Sequence, residues 1–249
     1  MASTPRTRRA PARKQGAKPA VPLTVPVIVN AAIALIDELG PEAFSMRSLA
    51  SSLGVYPAAL YWHVGNRASL LGLIGGEWLV GSVPESGSGS WKDFVREAAH
   101  RYRAAAHAHP NVARLLGVEL FPSANTLRLP EAAIGSLLEA GIPEDQVIDA
   151  YNALVGSIMG FVDVELARMP DDSEELSQSI TAELADLDPD RFPNLHRFMD
   201  QLPNRTISMR WKSGDEMPLD SSFGYLVELL IDGLERRTRT GVAEPPGRP

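Results

Sequence analysis

Apolar residues recur every three or four positions along most of this chain, which is the spacing of amphipathic α-helices. In the first such segment they are Ile28, Ala32, Leu35, Ile36 and Leu39. Aromatic residues make up 6% of the chain and β-branched runs are few, so the pattern favours helices over strands. We therefore predict an all-α fold with helices over about 24–39, 46–53, 57–63, 66–80, 91–107, 111–116, 124–140, 143–169, 179–187, 194–202 and 220–239.

Composition and helix-start signals divide the chain into an arm and two folded parts. Residues 1–22 are rich in Ala, Pro and basic side chains and hold no acid, which is typical of a disordered arm. The run Pro84–Gly89 has the composition of a flexible linker, and Ser90 with Asp93 has the spacing of a helix-starting capping box. We expect a helical head over residues 23–83 and a helical body over residues 90–240.

Composition and charge narrow the class of protein. The 249 residues include no Cys, which excludes a disulfide framework and thiolate metal sites. Residues 1–67 carry eight basic and three acidic side chains, a charge of +5, whereas the other 182 residues carry 16 basic and 28 acidic side chains, a charge of −12. Because an acidic body repels DNA phosphates, any contact with DNA has to come from the N-terminal part.

The pair Arg8-Arg9 before an apolar stretch also imitates an export signal. Pro22, Pro26 and Asn30 interrupt that stretch, and its apolar residues follow helical spacing, so we expect a cytoplasmic protein. No segment reaches the roughly 20 uninterrupted apolar residues that span a bilayer.

Residues 45–64 have the pattern of two helices that cross at a steep angle, a helix-turn-helix. Ala50 is small where the backbones approach, Gly54 can adopt the left-handed conformation of a tight turn, and Leu60 follows in the shared core. A generic corner between two helices has the same core requirements. The outward face of the second helix, which points away from this core, distinguishes a helix-turn-helix from a generic corner.

That outward face is small, uncrowded and flanked by basic side chains. Ala58 and Ala59 allow the backbone to enter a major groove, and aromatic or imidazole groups beside them can contact phosphates or base edges. We therefore predict DNA contacts by Arg47, Ala58, Ala59, Tyr61, His63 and Arg67.

The run Leu60–Arg67, Leu-Tyr-Trp-His-Val-Gly-Asn-Arg, together with Ser45–Ala50, resembles the DNA-binding head of the tetracycline-repressor (TetR) family. Trp91–Arg96 resembles the opening of that family's body, and Ser222–Glu235 its final dimerisation helix. The resemblance implies a homodimeric regulator, a repressor that a small molecule releases from a pseudo-palindromic operator by shifting the fourth helix. It also implies that Trp62 packs inward against the first helix.

Two departures from the family bear on recognition. Ala98 and Leu116 stand where tetracycline-sensing members place the Asn and His that hold the drug and its magnesium, so we do not expect that effector. Ala58 and Ala59 stand where many relatives have polar residues, which shifts DNA reading towards thymine methyl groups and DNA shape.

Gly156 and Gly160 lie one helical turn apart in the long helix and allow another helix to approach closely. That helix belongs either to the same chain or to the second subunit of a dimer, and the spacing leaves both open. One interpretation of Tyr102, Phe121, Asn152 and Met159 is that they line an effector pocket; the alternative is plain core, which is more typical of aromatic and Met residues at helical spacing.

The alternative to a DNA-binding regulator is a helical metal-dependent enzyme that uses Glu97, His100, His107 and His109. A di-metal bundle needs a second Glu-x-x-His pair, and the sequence holds only Glu97 with His100. No Gly-rich phosphate loop or nucleophile motif occurs, so we expect no metal, no cofactor and no enzyme activity. A DNA-binding protein without a ligand is the third alternative.

Deletion of residues 2–19 tests whether the basic arm contacts DNA. Lys and Arg contacts to phosphates release counterions, so the deletion should weaken operator binding at low salt and flatten the dependence of log affinity on log salt concentration. The ratio of specific to non-specific affinity should change much less. If fluorescence anisotropy gives the same salt dependence with and without the arm, the arm takes no part in binding.

Overall fold

A computed structural model describes residues 22–84, 89–118, 123, 125–168, 172–212 and 219–239. These residues form eleven α-helices and one 3-10 turn (Met199–Gln201) without any strand, which confirms the all-α prediction. The helices are α1 (Val25–Leu39), α2 (Met46–Ser52), α3 (Pro57–Val64), α4 (Arg67–Val80), α5 (Trp91–Ala108), α6 (Pro110–Val118), α7 (Arg128–Glu139), α8 (Val147–Glu165), α9 (Ser173–Ala185), α10 (Pro193–Arg197) and α11 (Asp220–Arg239). The basic arm, but for Pro22, and most of the linker lie outside the described residues.

The head consists of α1, α2 and α3 packed against the first part of α4. The buried stripe of α1 includes Ile28, Ala32 and Ile36, three of the positions that the apolar pattern predicts. Ser45 begins α2, because its hydroxyl accepts a hydrogen bond from the amide of Ser48 at 3.0 Å.

Helix α4 passes from the head into the body. Its first half buries Leu70, Leu71 and Ile74 in the core that includes α1. Its last turn carries Trp78, whose indole N–H donates to the carbonyl oxygen of Ala105 in α5 at 3.2 Å. The hydrophobic core therefore continues from the head into the body without a break.

The body is built around α5, which packs against α4, α6, α7, α8 and α11. Helix α8 packs against α5, α7 and α11, so one of its faces is in the core. By length and composition alone, α8 is the one helix among the described residues that is apolar enough to cross a membrane. The same composition is found in core helices of soluble proteins, and α8 carries Asp149 and Asp163 as well as the buried Glu165.

Several predicted helix ends were wrong. The acidic stretch before residue 179 is helical, because Glu174 and Glu175 lie in the first turn of α9, where carboxylates favour the helix dipole. The segment predicted over 143–169 is helical only over Val147–Glu165, because Arg210 caps its end by donating to the carbonyl oxygens of Val164 and Glu165. The helix predicted to begin at residue 124 begins at Arg128. The helix predicted over residues 194–202 is a short helix, Pro193–Arg197, followed by the 3-10 turn.

Glu165 is a fully buried carboxylate at the end of α8. Arg103 of α5 binds it with two hydrogen bonds, of which Nε to Oε2 spans 2.8 Å, and Arg103 also binds Asp220 of α11 at 2.6 Å. His107 Nε2 lies 3.2 Å from the same Oε2. The hydrogen bond with Glu165 raises the pKa of Arg103. This buried cluster fixes α5, α8 and α11 relative to one another.

Replacement of Glu165 by Gln should lower the free energy of unfolding by about 3 kcal/mol, because a buried cation then lacks its main counter-charge. The matched control is Glu97→Gln, which neutralises the half-buried partner of Arg101 within α5 and should cost under about 1 kcal/mol. Urea denaturation at one fixed protein concentration measures both. Equal losses of stability in the two variants would contradict a structural role for the buried cluster.

Candidate functional site

Helices α2 and α3 form the predicted helix-turn-helix. Gly54 adopts a φ of 66° in the turn, which only glycine tolerates without strain. The amide of Val55 then donates to the carbonyl oxygen of Ala50 at 3.0 Å and closes the turn. Leu49 and Leu60 are completely buried where the two helices meet the core.

One face of α3 remains open to solvent. At about 100° per residue, Ala58 and Tyr61 lie on the side away from the buried Leu60 and Val64. Three of the residues predicted to contact DNA are exposed, namely Arg47, Ala58 and Tyr61. The other three, Ala59, His63 and Arg67, are half-buried.

Trp62 is 82% exposed, so the implied inward packing against the first helix is wrong. Leu60 and Val64 point into the core, and the residue midway between them must point to the opposite side of a helix. Trp62 is therefore at the centre of the open face, where its ring meets His63 edge-on at 4.7 Å. Tyr56, just before the helix, is also 82% exposed. Helical periodicity alone identifies Trp62 as available for contact, whereas the exposure of Tyr56 is seen only in the structure.

A contact zone joins the head to the body beside α4. His109 Nδ1 lies 2.6 Å from Asp37 Oδ2 of α1, and the side chain of Asn111 donates to the carbonyl oxygen of Asp37 at 3.0 Å. Arg114 donates to Glu42 at 2.6 Å. Two of the four acids of the head, Asp37 and Glu42, are thus engaged by the body.

A cavity of about 190 Å³ lies in the body between α4, α5, α6, α7 and α8. Tyr102 and Met159, both predicted for a pocket, line it, whereas Phe121 lies outside the described residues. Asn152 is exposed and does not line the cavity, so that prediction is wrong. The lining positions on α8 are Tyr151, Leu154, Val155, Ile158 and Met159. A helix that turns these inward turns Asn152 outward.

Gly156 and Gly160 lie on the outer face of α8. Both are exposed, and a Cβ atom built on either meets no described atom within 4 Å. Within the described part of the molecule, these glycines therefore do not pack against another helix of the same chain. Apolar side chains are exposed on α8 and α11 as well, with Ile148 at 54%, Tyr225 at 69% and Leu229 at 52%.

The four residues of the enzyme alternative do not form a site. Glu97 pairs with Arg101, and the His100 ring packs edge-on against Phe223 at 5.3 Å. His107 faces Glu165 and His109 faces Asp37, so the four have separate partners. The described residues contain no group of three or more side chains placed to hold a metal ion.

Comparison with known proteins agrees with this architecture. The family model for bacterial regulatory proteins of the tetR family matches residues 28–74, and that for the tetracyclin repressor-like C-terminal domain matches residues 83–238. The tetracycline repressor protein class A from transposon 1721 of Escherichia coli is 29% identical over 215 residues, 84% of this chain and 89% of that protein. An HTH-type transcriptional regulator of Saccharopolyspora erythraea is 31% identical over 145 residues, 57% of this chain and 61% of that protein.

Solved structures show the same fold. The Streptomyces coelicolor TetR family protein ActR in complex with actinorhodin has a TM-score of 0.68 and 28% identity, with 88% of this chain and 99% of that chain covered. The S. coelicolor regulator SCO7222, a TetR, has a TM-score of 0.68 and 27% identity, with 86% and 99% covered. Because the C-terminal family model alone matches more than half of its residues, this chain belongs to the tetracycline-repressor family of DNA-binding transcriptional regulators.

Proposed function

We propose that the protein is a homodimeric repressor that binds a pseudo-palindromic operator through residues 23–83 and leaves it when a small molecule enters the cavity of residues 90–240. The observation that carries the proposal is the open face of α3, centred on the exposed Trp62, in a chain whose first 67 residues carry a net charge of +5 and whose other residues carry −12. No arrangement of the described residues favours the enzyme alternative. The protein works in the cytoplasm, where its operator is.

The DNA contacts that we assign follow the chemistry of each side chain. Ala58 and Ala59 allow the start of α3 to approach the base edges and contribute methyl groups that fit thymine. Tyr61 and His63 flank Trp62 and reach phosphates or base edges. Arg47 and Arg67 bind phosphates on either side, and these contacts position the helix without reading sequence.

We assign the outer faces of α8 and α11 to the dimer interface. The exposed glycines of α8 offer an unobstructed surface to a partner helix, and the exposed Tyr225 and Leu229 extend it on α11. Two-fold symmetry then presents two identical recognition helices, as a pseudo-palindromic site requires.

Release by a ligand requires that the cavity be coupled to the head. Trp78 and Leu79 of α4 line the cavity, and the same helix packs into the head through Leu70 and Leu71. Helix α6 also lines the cavity and binds the head through Arg114. The related ActR was crystallised with actinorhodin and with (S)-DNPA, which supports a ligand-binding role for this fold and disfavours a ligand-independent protein.

Tyr61→Ala and His63→Ala should each weaken operator binding by about 1–3 kcal/mol, the cost of one good base or phosphate contact. The operator is first selected from a random DNA pool, and affinities are then measured by anisotropy on that duplex and on a scrambled duplex. Thermal melting measured beside them should be unchanged, because both side chains lie off the core. Wild-type affinity in both variants would show that α3 is not the recognition helix.

Gly156→Leu should dissociate the dimer and lower operator affinity at least about tenfold, because one head contacts only a half-site. The matched control is Gly135→Leu on α7, an exposed mid-helix glycine whose built Cβ also meets no atom within 4 Å. Leu favours a helix over Gly at both positions, so loss of folding is not expected. Sedimentation velocity that finds an unchanged dimer in Gly156→Leu would remove α8 from the interface.

A further inference from the structure

We propose that the cavity binds an uncharged, flat molecule of about two fused aromatic rings that carries one or two hydrogen-bonding groups. This inference rests on the effector site proposed above and specifies the chemical class of its ligand.

The size of the cavity sets the scale of the ligand. Its volume is about 190 Å³. A dry cavity of about 150 Å³ lined by aliphatic and aromatic side chains holds one benzene ring, whereas pockets for drug-sized ligands measure about 300–1,000 Å³. Two fused rings therefore fit the space better than a ligand of drug size.

The walls exclude charge. None of the described lining residues has an acidic or basic side chain, and the polar side chains among them are those of Trp78, Tyr102, Thr126 and Tyr151. A charged ligand would lose its hydration without gaining a counter-charge, at a cost of several kcal/mol. The described part of the wall offers no carboxylate or imidazole to a magnesium chelate.

Aromatic side chains from three helices make the walls suited to flat rings. Trp78 of α4, Phe94 and Tyr102 of α5 and Tyr151 of α8 all line the cavity. Trp78 and Tyr102 meet edge-on, with ring centroids 5.4 Å apart. Since the N–H of Trp78 already binds Ala105, this side chain presents only its ring surface to a ligand. A planar ligand stacks best against these aromatic rings.

Two phenolic hydroxyls supply the polar contacts. Within the described part of the chain, neither Tyr102 nor Tyr151 makes a hydrogen bond, whereas the Thr126 hydroxyl is already bonded to Ser123. Burial raises the pKa of both phenols, so each remains a neutral donor at ordinary pH. The negative charge of Asp163 also raises the pKa of Tyr102. The same charge, near the Tyr102 side chain, further disfavours an anionic ligand.

Three molecules of equal ring size test the exclusion of charge. We expect calorimetric titration of the full-length protein to show binding of neutral 2-naphthol with a negative heat-capacity change, which marks burial of apolar surface. Naphthalene-2-sulfonate and N-methylquinolinium, an anion and a cation, should bind at least about tenfold more weakly. Binding of either ion as tightly as 2-naphthol would overturn the proposal.

A cavity-filling variant tests the location. Ala98→Trp places an indole in the space and should abolish 2-naphthol binding, while Ala104→Trp, at an exposed position of the same helix, should leave it unchanged. Val155→Phe on the opposite wall is the second filling variant if Ala98→Trp does not fold. Unchanged affinity in a folded filling variant would place the ligand elsewhere and refute the assignment.

Removal of one hydroxyl tests the polar contacts. Tyr102→Phe and Tyr151→Phe each retain the ring, so naphthalene should bind them as it binds wild type. At least one of the two should bind 2-naphthol about 3- to 10-fold more weakly, the range of one lost neutral hydrogen bond. Equal 2-naphthol affinity in wild type and both variants would overturn the role of the phenols.

Operator binding is measured separately, so that the ligand class and the proposed function fail independently. A protein that binds its operator but not 2-naphthol refutes the ligand class alone. A protein that binds 2-naphthol in the cavity without weakening operator binding supports the class and refutes the effector role of the cavity for this probe.

Discussion

The hydrogen bond from Trp78 to the carbonyl oxygen of Ala105 holds the last turn of α4 against the central helix of the body. Its ring is also part of the cavity wall, where it meets Tyr102. The other end of α4 begins at Arg67 and is buried in the head through Leu70. One continuous helix, held by its own backbone hydrogen bonds, thus connects the cavity wall to the head.

A second contact attaches the head to the body. Asp37 binds His109, just before α6, and Glu42 binds Arg114 of α6, so the head is held at a place other than α4 as well. These contacts also place acidic side chains of the head on the side of the body. Arg47 stays exposed, so its positive charge is available to DNA phosphates.

The residues of the helix-turn-helix could be predicted because their constraints are local: Gly54 must adopt a positive φ, and Leu60 must share a core with Ala50. Spacing within one helix says less about side-chain partners. Glu97 and His100 have metal-ligand spacing, yet Glu97 pairs with Arg101 one turn along α5 and His100 packs against Phe223 of α11.

Trp62 and Asn152 were misplaced for a different reason. Each lies on a helix whose inward face was known from its apolar residues, and the phase of that face already turned both outward. The family resemblance and the side-chain chemistry indicate inward positions, whereas the phase of the apolar residues indicates the exposed positions that the structure shows. The ion-pair partner of Arg103 could not be predicted at all, because α5 and α8 are far apart along the chain.

An uncharged effector must act on DNA binding through packing, since it brings no charge to attract or repel the head. To weaken operator affinity tenfold, it has to bind the released state about 1.4 kcal/mol more tightly than the DNA-bound state. At about 25 cal/mol per Å² of apolar surface, this corresponds to a difference of about 60 Å² buried between the two states. A single aromatic side chain buries about 150–250 Å², so a partial change in how Trp78 covers the ligand supplies the required difference. By linkage, operator DNA must weaken ligand binding by the same factor.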